Sequence, residues 1–141
     1  MKLAEFAIAL GVAVFVLVFT LAASFPMVAV YAYLIEPGHP PEFYSEAANW
    51  IAPWSSYVLG PIAFFCCNYW LVKSGRVQFP VLLAASTIGF YLLVDLGLLG
   101  FLLNIPLSSY FTAEILLSLA VKVIAAFWGA KLGLAKRPAP A

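Results

Sequence analysis

FAIALGVAVFVLVFTLAASFPMVAVYAYLI, residues 6–35, contains no charged side chain. A helix needs about 20 mostly apolar residues to cross the hydrocarbon of a bilayer. This one stretch therefore identifies lipid as the solvent in which the chain folds. Within lipid, every backbone N–H and C=O must be paired inside its own helix or around a closed barrel. The run is continuously apolar rather than alternating, which selects the helix. It is longer than a bilayer requires, so the helix is expected to tilt, to bend near Pro26, or to project beyond the surface.

Three further stretches have the same character. They cover residues 51–72, residues 79–103 with Asp95 inside, and residues 107–128 with Glu114 and Lys122 inside. The connections have turn chemistry. EPGHPP at 36–41 cannot continue a helix, because proline lacks an N–H and constrains the residue before it. KSGR at 73–76 is a short charged turn. NIP at 104–106 is a short uncharged one, with Pro106 suited to the first turn of the next helix. Residues 36–50 are expected to form an outer loop. Within it, residues 41–50 can form a short interfacial helix that turns Phe43, Tyr44 and Trp50 towards lipid.

Composition agrees. Of 141 residues, 65% are hydrophobic and 9% charged, with a mean hydropathy of +1.05. Soluble domains carry about 25% charged residues. The expected fold is all-α: a polytopic membrane protein built as an up-and-down four-helix transmembrane bundle, because the turns after the second and third spans are short. Residues 1–135 form a single domain. Residues 136–141, KRPAPA, are expected to be a short, disordered cytoplasmic tail.

The placement of basic residues orients the bundle. Lys2 precedes the first span, Lys73 and Arg76 lie between the second and third, and Lys131, Lys136 and Arg137 follow the fourth. The other two connections carry no lysine or arginine, and the first of them carries Glu36, Glu42 and Glu46. Positive charge stays on the cytoplasmic side, so both termini are expected there, in a multi-pass protein of the cell inner (plasma) membrane. A rival reading takes Lys2, the apolar run and Ala22-Ala23-Ser24 as a cleaved signal peptide. The unbroken apolar run to Ile35 and the acidic Glu5 favour an uncleaved first helix.

Ionisable groups in hydrocarbon cost at least about 2.5–3.5 kcal/mol each near the centre of a span. Asp95, Glu114 and Lys122 are therefore the first candidates for a site. Glu114, Ser118 and Lys122 recur every four residues, preceded at the same interval by Tyr110, and so do Thr87, Tyr91 and Asp95. Residues four apart share a helix face, and lipid rejects a polar face, so the two stripes are expected to point inward. Counting about 1.5 Å per residue from the turn at 104–106 predicts an Asp95–Lys122 ion pair, with Glu114 nearer the outer surface and surplus. The same counting brings Thr20 and Asn68 near the depth of Lys122, completing an intramembrane polar cluster. Such a cluster can relay protons or hold a polar solute. Equally, it can be a structural pair that fixes helix register.

Other features weigh less. His39 with Glu36 and Glu42 is a weak metal candidate whose spacing matches no firm motif; otherwise no metal is expected. Cys66 and Cys67 are expected to be small buried hydrophobes. Ala125, Gly129 and Gly133, Ala7 with Gly11, and Ala85 with Gly89 have the spacing of close helix contacts. No phosphate-binding loop, HExxH, GxSxG or paired CxxC occurs, so no cofactor and no enzyme activity are expected. The net charge of +1 gives no reason to invoke nucleic acid. Small multidrug transporters share four spans and an intramembrane acid, but theirs lies in the first span, so no residue is carried over.

The expected partners are the lipid bilayer and either another membrane protein or further copies of the chain. The leading functional expectation is an accessory or assembly subunit of a membrane complex, because Glu114 is a spare buried carboxylate. The alternative is a small oligomeric transporter or proton- or ion-conducting protein using Asp95, Glu114 and Lys122. A third reading is a membrane-embedded enzyme acting on a lipid or quinone.

Overall fold

The computed structural model describes residues 3–98 and 112–137. Among the described residues there are four α-helices: α1 (Leu3–Val30), α2 (Pro41–Lys73), α3 (Pro80–Gly97) and α4 (Ala113–Ala135). Each is long and apolar enough to cross a membrane, and no strand occurs among the described residues. A five-residue π-helical turn, Tyr31–Ile35, extends α1 beyond Pro26.

Direction alternates along the chain. The Glu5 carboxylate accepts a hydrogen bond from Gln78 N at 2.7 Å, which places the starts of α1 and α3 together. Gly133 lies against Tyr69 and Val72, which places the ends of α2 and α4 at the same end. That end carries Lys73, Arg76, Lys131, Lys136 and Arg137; the opposite end carries Glu36, Glu42 and Glu46. Neighbours are less simple than short turns suggested. The most extensive packing is α2 on α4, followed by α1 on α2, α1 on α3 and α3 on α4, while α2 and α3 meet only marginally. The helices thus run α1-α2-α4-α3 around the bundle, and the connection 74–79 crosses it. A short turn dictates reversal of direction but not adjacency.

Glycine explains why α2 and α4 are the closest pair. A Cβ on Gly129 would collide with the carbonyl of Phe65, and one on Gly133 would stand 2.6 Å from Tyr69 O. The backbones touch there because nothing projects between them. Gly11 and Gly89 have open space where a Cβ would be, so their spacing marks no close approach within the bundle. The core is made of residues such as Val16, Phe64, Leu83, Ala84 and Ala126.

Several boundaries differ from expectation. Residues 41–50 are not a separate interfacial helix: α2 runs unbroken from Pro41, with Pro53 and Pro61 inside it. Pro41 occupies the first helical position, where its missing N–H costs nothing. Phe43 and Trp50 pack on Tyr31, with ring centroids 6.2 and 5.4 Å away, so the outer loop shrinks to residues 36–40. There Tyr44 Oη donates to Glu36 O at 2.8 Å and accepts from His39 N at 3.1 Å. Helix α4 starts at Ala113, where Thr112 caps it by accepting from Ile115 N; the expected start near residue 107 lies outside the described residues. The helix continues past Trp128 to Ala135. Nor is Arg137 part of a loose tail: it donates to Gly75 O at 2.9 Å and Val77 O at 3.3 Å. The expected turn at 104–106, Tyr110, Lys2, the far end of the third span and residues 138–141 lie outside the described residues.

Candidate functional site

A cavity of about 500 Å³ lies between all four helices, in the half of the bundle towards the acidic end. Its walls are mainly apolar, with Leu17, Leu21, Leu92, Leu96, Ile115 and Leu119 among them. Its polar groups are few and come from every helix: Thr20 from α1, Ser55, Ser56 and Tyr57 from α2, Tyr91 and Asp95 from α3, and Ser118 and Lys122 from α4.

Lys122 is the centre of this group. It is 5% exposed in a helix otherwise rich in leucine, valine and alanine. Its stem passes over Gly60, where a Cβ would stand 2.7 Å from Cε. The ammonium donates to Ser56 Oγ at 2.8 Å and to Tyr91 Oη at 3.1 Å. Ser56 and Gly60 are four apart on α2, so one face supplies both the acceptor and the room for the stem. Tyr91 is held in turn by an edge-on contact with Phe64, centroids 5.2 Å apart. An ammonium has three donors, and these two hydroxyls occupy two of them.

Asp95, one turn beyond Tyr91, is half-buried and lines the same cavity. It lies within electrostatic range of Lys122, but the predicted direct ion pair does not form. Lys122 takes hydroxyl partners instead, because Ser56 and Tyr91 sit where its stem ends. Ser118 Oγ is buried and has no hydrogen-bond partner. Thr20 Oγ1 satisfies itself on Val16 O and Leu17 O, while its carbonyl accepts from Ser55 Oγ at 2.9 Å.

The remaining expected members fall elsewhere. Thr87 is buried but donates to Leu83 O within its own helix, away from the cavity lining. Asn68 is fully buried, donates to Phe64 O and leaves Oδ1 unpartnered. It is not level with Lys122; Ser56 and Gly60 are, and Asn68 lies two turns or more beyond them, at least about 12 Å. The depth count ran from the turn at 104–106, whereas α4 begins only at Ala113, so Lys122 lies fewer turns from that end of its helix than counted. Glu114 is not a buried surplus charge. It is exposed in the first turn of α4, where the helix dipole favours an anion, and it lines a surface groove with Trp50 and Trp54 that adjoins the cavity and shares Tyr57 and Ser118 with it.

His39 Nε2 meets Glu36 Oε2 at 3.4 Å, and its ring stacks on Phe43 at 4.2 Å. No group of three potential ligands, Glu42 included, comes together among the described residues. Cys66 is exposed rather than buried, and Cys67 is intermediate; they face a shallow groove with Gly11 and Phe15. Sequence reasoning missed Ser55, Ser56 and Gly60. The signal available was the four-residue spacing of Ser56 and Gly60, the same rule that singled out Asp95. Compared with known protein families, characterised proteins and solved structures, the chain matches none.

Proposed function

We propose that this protein is a small multi-pass protein of the cell inner membrane, with both termini cytoplasmic, that binds a small amphipathic molecule inside its helix bundle and carries it through the membrane. The observation that carries this reading is Lys122: a buried cation held by two neutral hydroxyls at an otherwise apolar cavity, with Asp95 near but unpaired. Binding pockets for small molecules measure about 300–1,000 Å³ and combine apolar walls with a few convergent polar groups. A purely structural ion pair would be closed and would need no cavity.

The accessory-subunit reading drew on Glu114 as a spare buried charge. With Glu114 exposed at a helix N-terminus, that support is gone. Among the described residues the lysine is accompanied by hydroxyls and a carboxylate set in apolar walls, which favours a binding role. The cavity lies in the half of the bundle towards the acidic end, so passage across the rest of the membrane would run between protomers of an oligomer.

The test compares small molecules extracted from purified wild-type protein and from Leu119→Trp, which fills the cavity without touching a charge. The expected result is a compound present in near-stoichiometric amount in wild type and depleted in the variant. Identical extracts from two folded proteins, or a stoichiometric protein partner retained by both, would overturn the reading.

A further inference from the structure

The charges around the cavity say what kind of molecule it suits, and this step rests on the binding role just proposed. One cation and one anion line the space, Lys122 and Asp95, and no ion pair joins them. Each is within the other's field, so together they are neutral. A simple anion would satisfy Lys122 but add net charge to a low-dielectric interior and face Asp95. A simple cation would do the reverse. Either outcome is costly, because isolated charge is what hydrocarbon surroundings reject.

From the separated charges, we infer that the cavity takes a zwitterion: a net-neutral molecule with an anionic and a cationic group at one end and an apolar body at the other. The anionic group meets Lys122, with Ser56 and Tyr91 as supporting hydroxyls. The cationic group meets Asp95 on α3, and the unpartnered hydroxyl of Ser118, one turn from Lys122 on α4, is a further acceptor lining the same cavity. The apolar body fills the space between Leu17, Leu92, Ile115 and Leu119.

Size selects among zwitterions. Taking the ~30 Å³ share of a water molecule for each non-hydrogen atom, a hydrophobic amino acid of roughly 9–15 such atoms occupies on the order of 270–450 Å³. That fits within the cavity of about 500 Å³. A whole two-chain phospholipid does not. The class is therefore a free hydrophobic amino acid or a compound of the same charge pattern and bulk, rather than a membrane lipid.

The experiment titrates the full-length protein in detergent with L-leucine and L-phenylalanine. In parallel it tests 4-methylpentanoate, which lacks the ammonium; 3-methylbutylamine, which lacks the carboxylate; and a short-chain phosphatidylethanolamine. The zwitterionic amino acids are expected to bind at least about tenfold more tightly than either singly charged analogue, a difference of ~1.4 kcal/mol. Asp95→Asn should weaken the amine more than the acid, and Lys122→Met the acid more than the amine. Equal or tighter binding of a singly charged analogue would overturn the zwitterion while leaving the cavity's binding role standing. Preference for the phosphatidylethanolamine would overturn the free amino acid. Failure of the amino acids to bind would also overturn this inference, and the extract comparison above then decides separately whether the binding role survives.

Discussion

A β-carbon placed on Gly60 would stand 2.7 Å from Cε of Lys122. The lysine can lie across α2 only because that position has no side chain. The atom in the way belongs to a flexible stem rather than to backbone, so the lysine is what yields. Gly60→Ala should therefore leave the fold intact. The helix-propensity gain of alanine over glycine, about 0.8–1 kcal/mol, offsets part of the crowding. The ammonium, however, is pushed off Ser56 and Tyr91. The expected result is a melting temperature close to wild type with a clear fall in occupancy by the co-purifying compound, and a larger fall for Gly60→Val. Undiminished occupancy in both variants would show that the stem's path does not matter to the site.

The contact between α2 and α4 makes the opposite demand. At Gly129 and Gly133 the obstructing atoms are the backbone of Phe65 and Tyr69, which cannot rotate aside. Gly129→Ala and Gly133→Ala should each lower stability by about 1–3 kcal/mol, the usual cost of overpacking. Gly11→Ala and Gly89→Ala meet nothing within 4 Å, so they should be neutral or slightly stabilising. Thermal unfolding of the four variants in one detergent separates the two pairs. A similar loss in all four would mean that helix contact is not what distinguishes them.

These glycines also show how far the fold could be read in advance. The spacing of Ala125, Gly129 and Gly133 was visible, as were the equivalent spacings at Gly11 and Gly89, yet only the first marks a contact. Spacing places residues on one face but does not say which helix lies opposite. That is also why the bundle order was not legible, although the four apolar stretches were. The site divides in the same way. Tyr91, Asp95 and Lys122 stood out because charge or hydroxyl at four-residue spacing is conspicuous in lipid. Ser55 and Ser56 did not, since a serine in a membrane helix can satisfy itself on a carbonyl of the preceding turn, as Ser55 does on Ala52 O. Asn68 was misplaced because it was compared with a depth for Lys122 counted from the turn at 104–106, and hydrophobicity alone does not mark the start of α4 at Ala113.

The basic end is held by two side chains from distant parts of the chain. Glu5 accepts from Gln78 N, and Arg137 donates to Gly75 O and Val77 O. Both act on the 74–79 connection, the one that crosses the bundle. Loss of a charged hydrogen bond costs about 1.5–3 kcal/mol when buried and less at a partly exposed site. Arg137→Ala and Glu5→Gln should therefore loosen this segment without unfolding the helices. Trypsin is expected to cut after Arg76 several-fold faster in either variant, with little change in helical circular dichroism. An unchanged cutting rate in both would mean that other contacts hold the segment.

Asp95 and Lys122 present the sharpest energetic case, because they share a cavity without touching. Removing either charge leaves the other without compensation in a low-dielectric interior, and breaking a buried pair in this way costs about 3–5 kcal/mol where the partners are fully buried. Asp95 is only half-buried, so the cost here should fall below that range. Lys122→Met and Asp95→Asn should each lower the melting temperature, and Lys122→Met should do so less than its loss of two hydrogen bonds implies, since the methionine stem still fills the space over Gly60. The double variant should be more stable than the sum of the single losses predicts. A coupling of about 0.5–3 kcal/mol is usual for residues that share a field or network. Strictly additive losses would show that each group is compensated by its own hydroxyls and water. The cavity would then be two independent polar sites, and a ligand bridging both charges would lose its rationale.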